Sequence, residues 1–134
     1  MNYRLVGLLS LFGLVMSLAT VFIVPPNIEP ILWLVIFVIC AVVLAKQAPS
    51  KAPLHGFLVS LLNCVYITLA HIAFADTYIA GHPDEAAAGA QSGLPVRVMM
   101  AITGPIIGII SGAVLALFTF IATKFVKPQR VGMN

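Results

Sequence analysis

His71 is the residue with the most scope for chemistry, because an imidazole set within an apolar stretch can bind a metal ion or relay a proton. It shares a stripe with Asn63 and Thr68. At about 100° per residue, Gly56, Ser60, Asn63, Cys64, Thr68, His71, Ala75 and Tyr78 project within an arc of roughly 140°, and Leu58, Val59, Leu62, Val65 and Leu69 fall opposite. The polar arc is expected to face other helices and to hydrogen-bond across them, each bond worth about 0.6–2 kcal/mol. His55 and His82 lie too far along the chain to join His71 on one straight helix; 16 residues at ~1.5 Å make about 24 Å. Glu29 and Asp76 fall only at the outer ends of the apolar stretches and no carboxylate lies deeper, so the structural reading of His71 is the stronger one, with a polar path or site as the alternative.

The remaining reactive groups are sparse. Cys40 and Cys64 lie at similar expected depths and can be neighbours, as a disulfide or, better, as two packed thiols, since no Cys-x-x-Cys pair exists. Asp76 and Arg97 can form an ion pair at the outer interface, where two part-solvated charges contribute less than about 1 kcal/mol. There is no activated nucleophile, metal cluster or phosphate-binding loop. The expectation is no catalytic, cofactor or metal site, and a protein that is not an enzyme.

These residues are positioned by apolar helices. Of 134 residues, 61% are hydrophobic and only 8% charged, more apolar surface than one soluble domain of this size can bury. Four stretches are expected to be membrane-spanning helices, over about 5–24, 28–46, 54–79 and 96–123, because lipid leaves no partner for an unpaired backbone amide. The strict alternation of barrel strands is missing. The second stretch has only 15 clearly apolar residues, Ile31 to Ala45, and relies on Ile28 and the stem of Lys46 to reach across.

Charge gives the expected orientation. With four spans, Arg4, Lys46, Lys51, Lys124, Lys127 and Arg130 fall on one side, while Glu29, Asp76, Asp84 and Glu85 fall on the other with Arg97. By the positive-inside rule both termini are cytoplasmic, in a single domain over 1–134 built as an all-α antiparallel four-helix bundle. Trp33 and Tyr78 near the outer boundary and Tyr3 near the inner one suit aromatic belts. A signal-peptide reading, with cleavage near Ser17-Leu18-Ala19, is disfavoured because the apolar run continues to Val24.

"PPNIEP" and "KQAPSKAP" are tight turns, and residues 80–95 form the one long outer loop, a mobile segment or a short surface helix. The hairpins differ in loop length and polar content, so no internal repeat is evident.

Small residues mark the packing faces. Gly104, Gly108, Gly112 and Ala116 recur every fourth residue, a groove into which another helix packs closely. Gly7, Ser10, Gly13, Ser17 and Thr20 make a similar stripe on the first helix, and the two stripes are expected to meet each other, with a homodimer seam as the alternative. Pro105 inside the row removes one backbone donor and is expected to kink the helix.

The stretches "LHGFLVSLLN", "AFADTYIAGHP" and "GPIIGIISGAVLALFTFIATK" together resemble a group of small four-span bacterial membrane proteins of unknown function. That resemblance implies the bacterial inner membrane and supplies no activity or site residues. Size and span count are also similar to small multidrug-resistance transporters, but those rely on a glutamate in the first helix, and the first span here has no acidic residue. The favoured function is therefore a helix-packing, partner-binding or assembly component. Its partners would be the lipid bilayer and itself or another membrane protein. The alternative is a small transporter or channel with a polar path along the third helix. Nucleic acid is not implied, since the net charge of +3 follows from inner-face residues.

Overall fold

A computed structural model describes residues 1–129, so Arg130 of the basic tail lies outside the described residues. The chain is all-helical, with no strand among the described residues: α1 (Tyr3–Phe22), α2 (Glu29–Gln47), a single 3-10 turn (Pro49–Lys51), α3 (Ala52–Ala73), α4 (Ala75–Gly81), α5 (Pro83–Ser92) and α6 (Val96–Phe125). Four of these, α1, α2, α3 with its leading turn, and α6, are long and apolar enough to cross a membrane, the makeup of a multi-pass membrane protein. Large apolar side chains cover their outer faces, Ile107 at 62% and Val15 at 65% exposed, an arrangement suited to lipid.

Local chemistry sets the helix ends. The Asn2 side chain accepts from the Leu5 amide at 3.1 Å and caps α1. Pro30 stands in the first turn of α2, where its missing donor costs nothing, with Glu29 at that positive end and Lys46 in the last turn. Gly93 ends α5 at φ +69°, a left-handed conformation that glycine adopts without penalty.

The third apolar stretch departs from the expected straight helix over 54–79. It stops at Ala73, Phe74 (φ −111°, ψ 33°) interrupts the helical run, and α4 restarts at Ala75. The Phe74 amide still bonds to the Ala70 carbonyl at 2.9 Å, and the Tyr78 amide to the Phe74 carbonyl at 2.9 Å, so the break costs few backbone bonds. Residues 80–95, read as one loop, contain α5.

Packing centres on α3, which lies between α1 and α6, whereas α1 and α2 scarcely touch. The two small-residue stripes therefore do not meet each other as expected. Each meets α3. On α6, a Cβ built at Gly104 would collide with the Thr68 side chain, one at Gly108 would lie 2.6 Å from Cys64 Sγ, and one at Gly112 would lie 2.8 Å from the Phe57 ring. On α1, a Cβ at Gly13 would lie 2.6 Å from the Asn63 Cα. Ser10, Ser17 and Thr20 are buried beside it, while Gly7 is exposed with open space at its Cβ position and lies off the packing face. The reason is that α3 carries the small and polar side chains which glycine notches can receive, and two glycine faces pressed together would leave little to interlock.

Having neighbours on two sides also buries more of α3 than one arc. Val59, expected on the outward side, is fully buried with Leu44, Cys40 and Leu115. Helix α6 runs through Pro105 as one element, and its Gly104 carbonyl accepts the Cys64 thiol at 2.8 Å. At one end of the molecule, the Asn2 amide donates to His55 Nε2 at 3.0 Å and the Gln129 amide to the Lys46 carbonyl at 2.9 Å.

Candidate functional site

A cavity of about 900 Å³, open on the side where Leu34, Ile107 and Ile110 are exposed, lies between α2, α3 and α6, within the size range of small-molecule sites. Its walls are mostly apolar, from Leu34 and Phe37 on α2, Ile67 on α3, and Ile107, Val114 and Phe118 on α6. The α3 stripe supplies a polar line along it: Ser60, Asn63, Cys64, Thr68 and His71. Helices α4 and α5 add Tyr78 and Glu85, and the first turn of α2 adds Glu29.

Most of the stripe is tied up in structure. The Asn63 amide nitrogen, oriented by its surroundings, donates to the Ser10 carbonyl at 3.0 Å and the Val59 carbonyl at 3.3 Å, joining α3 to α1. Ser60 and Ser111 hydroxyls are 2.9 Å apart across the α3–α6 contact. His55 is a structural histidine. Its Nδ1–H donates to the Lys51 carbonyl at 2.7 Å, which leaves Nε2 to accept from Asn2. Cys40 and Cys64 are both free thiols, Cys40 fully buried in the core and Cys64 bordering the cavity.

His71 sits at the polar end. Thr20 donates its hydroxyl proton to the Met16 carbonyl at 2.9 Å, so its oxygen is the acceptor for His71 Nε2–H at 3.1 Å. Nδ1 of His71 then carries the lone pair. The His71 ring stacks on Tyr78 (centroids 3.8 Å apart, planes at 24°), and Tyr78 stacks on His82 (3.9 Å, 19°). Tyr78 donates its hydroxyl to Glu85 Oε2 at 2.7 Å. Burial first, and then the hydrogen bond and negative charge of Glu85, push the phenol's pKa upward, so it remains a proton donor.

The stack corrects the sequence-based distance argument. His82 is out of reach of His71 on a straight helix, but the break at Phe74 and the turn of α4 bring the two imidazoles onto opposite faces of one phenol. The expectation that no carboxylate attends His71 also changes, because Glu29 from the first turn of α2 and Glu85 from α5 reach the cavity. Tyr78, expected in an aromatic belt, is only 4% exposed.

His82 is the unusual member. It is 3% exposed, and its Nδ1–H donates to the Tyr78 carbonyl at 2.8 Å. Its Nε2 has no hydrogen-bond partner among the described residues and lies 3.7 Å from Glu29 Oε2. Glu29 Oε1 meanwhile accepts from the Trp33 indole at 3.3 Å.

Compared with protein-family models, curated proteins and solved structures, the chain matches none. The arrangement must be interpreted on its own chemistry.

Two further features complete the inventory. Among the described residues there is no group of three or more His, Cys, Asp or Glu side chains able to hold a metal ion. Arg97 lies 3.5 Å from Asp76 and donates through Nε to the Ile72 carbonyl at 3.2 Å, tying α6 to the end of α3 on the exposed surface. What sequence reasoning missed is the group Glu29, His82 and Glu85. The available signal was that three of the few titratable residues flank Pro-containing connectors on the same expected side of the membrane.

Proposed function

We propose that this chain is a non-enzymatic integral membrane protein of the bacterial inner membrane that holds a small molecule in a cavity within the bilayer, and acts as a small transporter or carrier. The observation that carries the reading is the cavity of about 900 Å³ with the α3 polar stripe along one wall. A static packing bundle needs no such space, because close packing is what stabilises helices in lipid.

The accompanying topology is an antiparallel bundle with both termini cytoplasmic. Contacts between α1 and α3 ascend together, from Asn2 with His55 to Thr20 with His71, and those between α6 and α3 run in opposite order, from Gly104 with Thr68 to Gly112 with Phe57. The basic residues Arg4, Lys46, Lys51, Lys124 and Lys127 favour the cytoplasmic side.

A helix-packing, partner-binding or assembly component is the second reading, and the glycine row supports its packing part. Gly104, Gly108 and Gly112 are filled by α3 side chains, so they offer no open edge to a second copy or another membrane protein.

The test is extraction in native lipid particles, followed by mass spectrometry of retained small molecules. A compound held near one per chain by the wild type and lost in Thr103→Trp, which adds bulk to the cavity lining, supports the reading. Identical lipid profiles in the two proteins sink it.

A further inference from the structure

The charge on the cavity lining is one-sided. Glu29 and Glu85 stand at its polar end, and among the described residues no lysine or arginine lines it. Glu29 is part-buried, with 22% of its side chain exposed, and Glu85 is exposed, so a cationic group that reaches this end of the cavity meets two carboxylates. Nε2 of His82 faces Glu29 Oε2 at 3.7 Å without a hydrogen-bond partner, so in the neutral imidazole two electron-rich atoms confront each other. A proton on that imidazole, or a cationic group from outside, satisfies both atoms. The rest of the cavity is apolar, and its polar line along α3 from Ser60 to His71 spans about 17 Å at ~1.5 Å per residue.

We propose that the cavity binds amphiphiles with a protonated amine head and an apolar tail, the head held between Glu29 and Glu85 and the tail lying between α2, α3 and α6. This rests on the small-molecule reading above. An ammonium group would donate to Glu29 Oε2 and to the free oxygen of Glu85, whose other oxygen is already taken by Tyr78. Trp33 stays fixed beside the head by its bond to Glu29 Oε1, and offers a ring against which a cation is favoured. A lipid acyl chain without an amine would satisfy the walls and leave the carboxylates unmet.

Trp33 is the only tryptophan, so it reports on the site directly. The protein is reconstituted in phosphatidylcholine liposomes at about pH 8, and Trp33 fluorescence is titrated with dodecylammonium, dodecanol and dodecyl sulfate. The expected result is saturable binding of dodecylammonium, with dodecanol and dodecyl sulfate at least about tenfold weaker. Glu29→Gln and Glu85→Gln should each weaken dodecylammonium about tenfold and leave dodecanol unchanged. Equal saturable binding of all three probes, preference for the sulfate, or an ammonium preference unaltered in both variants would overturn the headgroup assignment and leave the cavity reading standing. No saturable binding of any probe would overturn both. The three-probe comparison in the wild type decides the question even if a variant fails to fold.

Discussion

His82 Nε2 lies 3.7 Å from Glu29 Oε2, and this pair joins the first turn of α2 to the connector after α4 with neither a hydrogen bond nor a permanent charge balance. Two segments far apart in sequence thus meet at a contact that is incomplete when the imidazole is neutral.

Replacing Glu29 by glutamine should complete that contact. The side-chain amide would donate to His82 Nε2 while its carbonyl oxygen still accepts from Trp33. Melting of Glu29→Gln in detergent micelles should equal or exceed wild type, whereas Glu29→Ala should lose about 1 kcal/mol, the usual net worth of one hydrogen bond. A glutamine variant as unstable as the alanine variant would contradict the geometry.

The glycine notches predict a contrast between two substitutions. A Cβ at Gly104 meets side-chain atoms of Thr68, so Gly104→Ala should destabilise by about 1–3 kcal/mol and Thr68→Ala should restore part of the loss. At Gly13 the obstacle includes the Asn63 Cα at 2.6 Å, so Gly13→Ala should not be rescued by Asn63→Ala. Double-mutant cycles of unfolding free energy in mixed micelles measure both.

Tyr78 predicts an alkaline effect. Its phenol's pKa is raised in the folded protein by burial and by Glu85, so the folded state holds that proton more tightly than the unfolded state does. The contribution is fully present below the unfolded phenol value of about 10 and is lost as pH rises beyond it toward the folded value. Melting temperature measured from pH 8 to pH 11 should fall more steeply for wild type than for Tyr78→Phe. Parallel curves would remove Tyr78 from the alkaline transition.

Thiol labelling separates the two cysteines. Cys64 borders the cavity and Cys40 is fully buried, so N-ethylmaleimide should modify Cys64 first and reach Cys40 only after unfolding. Dodecylammonium should slow the Cys64 reaction. Equal rates for the two thiols in the folded protein would show that the cavity is not accessible.

The four long helices were legible because apolar length and composition decide what a segment can do in lipid, whatever its neighbours. The small-residue faces were legible too, since Gly104 to Gly112 and Ser10 to Thr20 leave room only if something close fills it. Which helix fills it was not, because a notch records a volume and not the identity of its occupant. The break at Phe74 has no proline or glycine beside it, in the segment His-Ile-Ala-Phe-Ala-Asp, so periodicity runs through it without a mark. For the same reason the union of His71, Tyr78 and His82 was hidden, being a product of chain direction after the break. Glu29 stood at the edge of an expected helix and Glu85 in a connector, where sequence pattern carries almost no three-dimensional information.

The central place of α3 also has a bearing on biogenesis. Since α1 and α2 scarcely touch, the first hairpin to leave the ribosome has little of its own to hold it together in the bilayer. It must await residues 52–73, which supply the Asn63 that fills the notch at Gly13 of α1, and the last helix docks only after residue 96 has emerged. Assembly thus proceeds by successive additions around the third segment to be made, and a nascent chain halted before it would carry two loose helices.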